Sequence, residues 1–175
     1  DMLTYHNNTG RLSDMTQEKT CELLDLYGDT VMRIAYTYLK NKPDAEDAVQ
    51  EVFLHVIEKN PVFNDKNHEK AWILRTTINV CKNKLNTFWN RNKQSIDDSP
   101  DVAVYDSYNT DSSVLKAVMS LPEKYRITIY MYYYEEYSTA EIAKITGKND
   151  VTVRSLLRRA RSKLKEMLKE EYDFE

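Results

Sequence analysis

Apolar residues recur along this chain every three or four positions, the spacing of amphipathic helices. Near the C-terminus this pattern predicts one short helix at 139–146 and a longer helix that begins after Asn149 or Asp150. Ser138 and Glu141 have the S-x-x-E spacing of a capping box, and Gly147 can adopt the positive φ of a sharp turn. The apolar side of the second helix comprises Val153, Leu156, Leu157, Ala160, Leu164, Met167 and Leu168. The pattern is typical of a helix-turn-helix.

Earlier segments show the same period. Residues 43–58 and 72–85 each place apolar side chains on one helical face. The run ITIYMYYY resembles a strand, but it lies between the Leu121-Pro122 helix start and the Ser138 cap, so we predict a buried helix. The sequence therefore predicts an all-α protein with two small helical domains, at 1–94 and 112–175, joined by an acidic flexible linker at 95–111.

Charge is distributed unevenly along the chain. The formal net charge is −3, yet residues 152–169 contain seven basic side chains and one acidic one. Residues 70–94 contain six basic and no acidic side chains, whereas the predicted linker contains five aspartates and no lysine or arginine. The outward side of the last helix comprises Arg154, Ser155, Arg158, Arg159, Arg161, Ser162, Lys163 and Lys165. Segregation on this scale favours contact with phosphates over general solubility.

Composition argues against several other classes of protein. Three glycines among 175 residues disfavour a glycine-rich nucleotide loop. Cys21 and Cys81 are far apart, so neither a zinc site nor a disulfide framework is indicated, and we expect no cofactor. The chain has no apolar run of about 20 residues and no secretory pattern. We expect a cytoplasmic protein without a membrane span.

The segment 43–58 has an acidic outer face with Leu54 at its centre. An exposed leucine surrounded by acids suits a small docking surface for a basic protein. The alternative is a metal site made by Asp47, Glu51 and His55, which lie at i, i+4 and i+8. Metal sites in helical bundles need matching ligands on a facing helix, and the sequence contains no second Glu-x-x-His.

The segment 69–93 combines cations, amides and aromatic residues. Its apolar stripe includes Trp72, for which we predict core packing. Its exposed side carries Arg75, Asn79, Lys82, Asn83 and Asn86, preceded by a loop at 63–67. Such a row can hydrogen-bond the bases and phosphates of a strand laid across the helix. Single-stranded DNA binding is therefore chemically available here.

Three blocks in order now carry a family resemblance. They are YGDTVMRIAYTYLKNKPDAEDAVQEVFLHVIE at 27–58, EKAWILRTTINVCKNKL at 69–85, and LPEKYRITIYMYYYEEYSTAEIAKITGKNDVTVRSLLRRARSKLKE at 121–166. Together they resemble a bacterial RNA polymerase sigma factor of the extracytoplasmic-function (ECF) type, and the resemblance covers nearly the whole chain.

The resemblance implies a non-enzymatic subunit that directs core polymerase to promoters and assists their melting. It implies docking on the coiled coil of the polymerase β′ clamp through Asp44, Glu46, Asp47, Gln50, Glu51 and Leu54. It implies recognition of the minus-ten element through Asn64, Asp65, Arg75, Asn79, Lys82, Asn83 and Asn86. It implies duplex recognition of the minus-thirty-five element through Lys148, Thr152, Arg154, Ser155, Arg158, Arg159 and Ser162. Contact with the β flap and regulation by a separate anti-sigma factor are further family expectations.

Two positions depart from the family pattern. Lys148 stands where an apolar residue usually follows the glycine of the turn, and Val151 stands where a small residue is usual. A helix-turn-helix regulator that does not engage polymerase remains an alternative, but it leaves the acidic face and the polar row unexplained. A metal-dependent enzyme built on Asp47, Glu51 and His55 is the third interpretation.

Overall fold

The computed structural model describes residues 3–92 and 113–172, with side chains described over 17–88 and 113–169. The predicted linker at 95–111 lies outside the described residues, so the domain boundaries remain predictions. Within the described residues all regular elements are helices: α1 (Leu3–Leu39), α2 (Lys42–Lys59), α3 (Lys66–Asn92), α4 (Ser113–Ser120), α5 (Glu123–Tyr133), α6 (Thr139–Thr146) and α7 (Asp150–Tyr172). The all-α prediction is confirmed.

Helices α1, α2 and α3 pack against one another as a first unit. Asn41 starts α2 by accepting a hydrogen bond from the Asp44 N–H at 3.0 Å, and the left-handed Asn60 ends it. The apolar faces of the three helices meet in the core, with Ile34 from α1, Val52 from α2 and Ile73 from α3 fully buried. This packing turns the polar side of α2 and the polar row of α3 outward.

Helices α4–α7 form a second unit in which α7 packs against each of the others. The ITIYMYYY run is helical, as predicted, and its side chains are buried as far as Met131. Tyr133 and Tyr134 at its C-terminal end are exposed, so the prediction of a wholly buried helix is wrong there. Tyr133 lies beside α7, whereas Tyr134 stacks on Tyr130 of its own helix.

The two units are in contact. Helix α1 packs against α5, and α3 packs against α6. One cluster of buried apolar side chains extends from Val31 and Ile78 in the first unit to Leu121 and Ile142 in the second. The helices therefore share a continuous core, and this brings α3 next to the turn of the helix-turn-helix. Across the described residues, no helix is sufficiently long and apolar to cross a membrane.

Candidate nucleic-acid interface

The predicted helix-turn-helix is present, with the predicted caps. The Ser138 N–H donates to a Glu141 carboxylate oxygen at 2.8 Å, and the Glu141 N–H donates to the Ser138 hydroxyl at 3.3 Å. Hydrogen bonds to the carboxylate from the Ser138 hydroxyl, at 2.7 Å, and from the Ser138 N–H lower the pKa of Glu141. Gly147 ends α6 with φ +71°, and the side chain of Asn149 accepts a hydrogen bond from the Thr152 N–H at 2.7 Å. Local sequence thus fixes how the N-terminus of α7 is presented.

Helix α7 has an apolar side and a cationic side, as its pattern predicts. Val153, Leu156, Leu157 and Ala160 are buried, whereas Leu164, Met167 and Leu168 toward the C-terminal end are only half-buried. Of the candidate minus-thirty-five residues, Ser155 is half-buried and the rest are exposed: Lys148, Thr152, Arg154, Arg158, Arg159 and Ser162. The fold therefore offers one exposed surface that carries cationic and hydroxyl side chains on α7.

Two arginines on that surface already have partners within the chain. Arg154 binds the carboxylate of Asp150, whose pKa is lowered by a hydrogen bond from Thr139 and by Arg154 itself. The Arg161 Nε donates to the Tyr133 hydroxyl at 2.8 Å, and its guanidinium lies 5.5 Å from the centres of the Tyr132 and Tyr133 rings. Arg161, which the pattern places on the outward side, is thus bound to the end of α5.

The polar row of α3 is exposed at Arg75, Asn79, Asn83 and Asn86, and half-buried at Lys82. A Cβ on Gly147 would lie 3.6 Å from the Arg75 guanidinium, so Arg75 lies against the turn of the second unit. Partial desolvation of its amine, together with the charge of Lys82, lowers the pKa of Lys148. The two cationic surfaces that the sequence predicts separately are therefore neighbours.

The loop before α3 is held at both ends. The Lys19 amine donates to the Pro61 carbonyl and lies 5.1 Å from the centre of the Phe63 ring. Asp65 accepts a hydrogen bond from the His68 N–H at 2.7 Å and thereby caps α3. Helix α3 begins at Lys66, so the predicted loop boundary at Asn67 is wrong by two residues. Asn64 and Asp65 are exposed, but one Asp65 oxygen is engaged in the cap.

A cleft of about 190 Å³ lies between α2 and α3. It is lined by His55, Lys59, Trp72, Thr76, Asn79, Val80 and Asn83. Trp72 is half-buried and packs against the core, as predicted, and it lies edge-on to Phe63 at 5.9 Å. The part of the indole that stays exposed borders the cleft. The sequence pattern did not reveal the contribution of His55 and Lys59, because it requires the packing of α2 on α3.

The acidic face of α2 is exposed at Asp44, Glu46, Asp47, Gln50 and Leu54. Leu54 is 55% exposed, as the pattern predicts, and Ile57 beside it is 46% exposed, which sequence reasoning missed. Glu51 is half-buried and lies 3.4 Å from the Lys84 amine. Apolar side chains within an acidic rim suit a basic protein partner.

The alternative metal site finds no support in the packing. His55 Nδ1 lies 3.4 Å from a Glu58 oxygen, within the same helix. Among the side chains that the structure describes, no three His, Cys, Asp or Glu residues are grouped closely enough to hold a metal ion.

Comparison with protein families matches both halves of the chain. The family model for Sigma-70 region 2 matches residues 23–91, and that for Sigma-70, region 4 matches residues 112–164. Between them the matches contain α2, most of α3 and the helix-turn-helix.

Similar proteins agree with these matches. ECF RNA polymerase sigma factor SigW of Bacillus subtilis is 25% identical, over 88% of this chain and 91% of its own length. RNA polymerase sigma factor SigV of Bacillus subtilis is 27% identical, over 73% of this chain and 78% of its own.

Solved structures share the fold. The sigma factor RpoE from Bartonella quintana, in complex with the anti-sigma factor NepR, aligns with a TM-score of 0.71. That alignment covers 89% of this chain and 97% of RpoE, at 24% identity. CnrH, in complex with the cytosolic domain of CnrY, aligns with a TM-score of 0.61 at 20% identity, over 90% of this chain and 95% of CnrH. With the helix-turn-helix, the polar row of α3 and the acidic face of α2, these matches place the chain in the sigma-70 family, as an ECF-type RNA polymerase sigma factor.

Proposed function

We propose that this protein acts as a promoter-specificity subunit: it binds core RNA polymerase, directs it to promoters and assists strand opening, without catalysis of its own. One observation carries the proposal. A single fold combines an exposed acidic face centred on Leu54 with two separate surfaces suited to nucleic acid, on α3 and α7. A regulator that only binds DNA has no use for the first of these surfaces.

The acidic face of α2 is the proposed contact with the β′ clamp. Leu54 and Ile57 supply apolar area, while Asp47 and Gln50 surround them with polar groups. Apolar contact stabilises such a complex, and the acids favour a basic partner and speed encounter. We assign the docking role to Asp44, Glu46, Asp47, Gln50, Glu51 and Leu54.

The loop 60–65 and the cleft beside it are the proposed minus-ten site. Trp72 offers an aromatic surface, and the amides of Asn79 and Asn83 can hydrogen-bond a base edge. Extruding a base costs a few kcal/mol, and a loop anchored by Lys19 and Asp65 loses little further entropy on binding. Arg75, Lys82 and Asn86 supply phosphate and sugar contacts along α3.

The N-terminal half of α7 is the proposed minus-thirty-five reader. Arg158 and Arg159 are placed to contact phosphates, whereas Thr152 and Ser155 can reach base edges. Lys148 lies at the turn, where it can bind a phosphate at the edge of the groove.

The relatives also bear on regulation. RpoE of Bartonella quintana binds the anti-sigma factor NepR, and CnrH binds the cytosolic domain of CnrY. We propose that this protein has an anti-sigma partner as well and that it acts in the cytoplasm.

The proposal can be tested by permanganate footprinting of a promoter with core polymerase. We expect thymines of the minus-ten region to become reactive only when both core and this protein are present. Duplex binding by the protein alone, with no core-dependent opening, would favour the polymerase-independent regulator.

A further inference from the structure

Val151 is unusually exposed for an apolar side chain. It is 72% exposed and lies in the first turn of α7, between the capping Asn149 and the exposed Thr152. Burial does not account for a valine here, since the apolar side of α7 begins at Val153. The side chain stands on the end of the helix that enters a major groove in helix-turn-helix proteins.

The chemistry of valine limits what it can recognise there. Its side chain offers only methyl groups, so it cannot satisfy the donors and acceptors on the edge of a G·C pair. The apolar group that the major groove presents is the C5-methyl of thymine. A valine at this position therefore favours a T·A pair and disfavours a pair whose polar edge it would desolvate.

We propose that Val151 sets base preference at one position of the minus-thirty-five element by packing against a thymine methyl group. This inference rests on the proposed function, because it assumes that α7 reads duplex DNA. It adds an apolar, base-specific contact to the cationic and hydroxyl contacts already assigned to this surface.

The test replaces thymine with uracil, which lacks only that methyl group. The full wild-type protein first selects a duplex from a random pool. Each thymine of the selected duplex is then changed to uracil in turn. We expect one substitution to weaken wild-type binding by about fourfold, the effect of losing one buried methyl group. Val151→Ala should bind the thymine and uracil duplexes equally, whereas the control Val114→Ala, a valine 41% exposed in α4, should retain the wild-type difference.

Three results would overturn the proposal: a selected site without a T·A pair, no sensitivity to uracil at any position, or undiminished sensitivity in Val151→Ala. Failure of the wild-type protein to select any duplex, even with core polymerase added, would instead contradict duplex reading by α7, and so the proposed function.

A second, independent observation concerns the contact between the two units. Arg126 of α5 is only 5% exposed, and it crosses to the C-terminal end of α1. Its Nε donates to the Thr37 carbonyl at 2.6 Å, and its Nη2 donates to the Tyr38 carbonyl at 3.0 Å. The last carbonyls of a helix lack partners within the helix and carry partial negative charge, so a guanidinium stabilises them. Arg126 thus caps a helix of the other unit.

Two further contacts reinforce the same boundary. Arg33 of α1 forms an ion pair with Glu135, with Nε 2.8 Å from the carboxylate. The Lys70 amine lies 4.4 Å from the centre of the Tyr137 ring. Hydrogen bonds from charged groups are stronger than those between neutral groups, and both Glu135 and Tyr137 are largely buried. The contact is therefore specific.

This arrangement is incompatible with simultaneous contact to both promoter elements. On the proposed function, the two elements lie at positions −10 and −35 and are therefore about 25 base pairs apart, roughly 85 Å of B-form DNA. In the structure, Arg75 of the minus-ten surface instead touches the turn at Gly147, next to the minus-thirty-five helix. The units must separate before one promoter can engage both.

We infer that the contacts of Arg126 and the Arg33–Glu135 pair, which we call the latch, hold the two units together in a closed form of the free protein. Separation of the units then limits promoter engagement. A partner that binds only the closed form, or only the open form, would shift the equilibrium between them.

A charge-reversal cycle tests the latch. Arg33 and Glu135 have no assigned part in DNA or polymerase binding, whereas Arg126 also holds the Leu121 carbonyl of its own unit and is left unchanged. In a Cys81→Ala background, dyes on Cys21 and on Lys116→Cys report the distance between the units by energy transfer, since both positions are exposed. The measurement needs neither DNA nor polymerase, so its outcome is separate from that of the proposed function.

We expect the wild type to be closed, Glu135→Arg to raise the ratio of open to closed protein by about tenfold, and Arg33→Glu/Glu135→Arg to restore closure. Arg33→Gln removes only the more exposed partner and should also raise the ratio of open to closed protein. It replaces Glu135→Arg in the test if charge reversal perturbs folding. An open wild type, or distances unchanged in both Glu135→Arg and Arg33→Gln, would overturn the inference.

Discussion

Arg158 and Arg161 lie three residues apart on α7, but their surroundings differ. Arg158 is exposed, whereas Arg161 is bound to Tyr133 and lies over two tyrosine rings. A cation held by the protein gains less from a phosphate than one held only by water, because its existing contacts must first be broken. The helical period places both residues on the outward face, and only the packing of α5 distinguishes them.

We predict that Arg158→Ala weakens binding to duplex promoter DNA and lowers the slope of log K against log salt concentration by about 0.9, the effect of one phosphate contact. Titrations of labelled duplex at several salt concentrations measure it. Arg161→Ala is the matched control and should leave the slope nearly unchanged. Equal slopes for wild type and Arg158→Ala would remove Arg158 from the DNA interface.

Substitution of Leu54 tests docking without disturbing the fold, because its side chain is largely exposed. We predict that Leu54→Asp leaves the thermal unfolding midpoint within a few degrees of wild type, since exposed substitutions usually change stability by less than about 0.5 kcal/mol. The same change should weaken binding to core polymerase at least about tenfold, as expected for an apolar residue at the centre of an interface. Leu54→Met should bind like wild type. Binding of Leu54→Asp at wild-type strength would show that docking occurs elsewhere.

At the scale of the element, the capping box of α6 has a measurable consequence. We predict that Ser138→Ala destabilises the protein by about 1 kcal/mol, the usual contribution of an N-cap. For a chain of this size that corresponds to a fall of about 2–4 °C in the unfolding midpoint. Ser162→Ala, on the exposed side of α7, is the control and should leave the midpoint unchanged.

The same capping box gives a pH dependence of known sign. The pKa of Glu141 is lowered in the folded protein, chiefly by its hydrogen bond with Ser138. The stabilisation is therefore present above the ordinary glutamate pKa of about 4.3 and is lost as the pH falls through the lowered folded value. We predict that the difference in unfolding midpoint between wild type and Glu141→Gln is clear at neutral pH and shrinks below about pH 4. A difference that persists there would mean that the carboxylate charge is not responsible.

The elements that could be predicted from sequence are those that local chemistry determines. The caps of α6, the turn at Gly147 and the buried side of α7 depend on residues within a few positions of one another. Arg161 and Tyr133 were placed less well, because each takes its surroundings from another helix. The cleft between α2 and α3 could not be predicted for the same reason.

At the scale of the molecule, the segregation of charge predicted two surfaces for nucleic acid but not their contact with each other. The two units are also joined by Arg126, which binds two carbonyls nearly 90 residues earlier in the chain, a separation that no period in the sequence reveals. Family matches to residues 23–91 and 112–164 support two functional units, and the structure joins them through one core. Function in this protein is therefore a property of both units and of the equilibrium between them.

Run-off transcription with bacterial core polymerase, on a pool of randomised promoter fragments followed by sequencing, tests the central claim most directly. We predict start sites that require added protein, share two sequence elements and are lost with Leu54→Asp but not with Leu54→Met. The same transcripts with and without the protein would contradict the assignment as a promoter-specificity subunit.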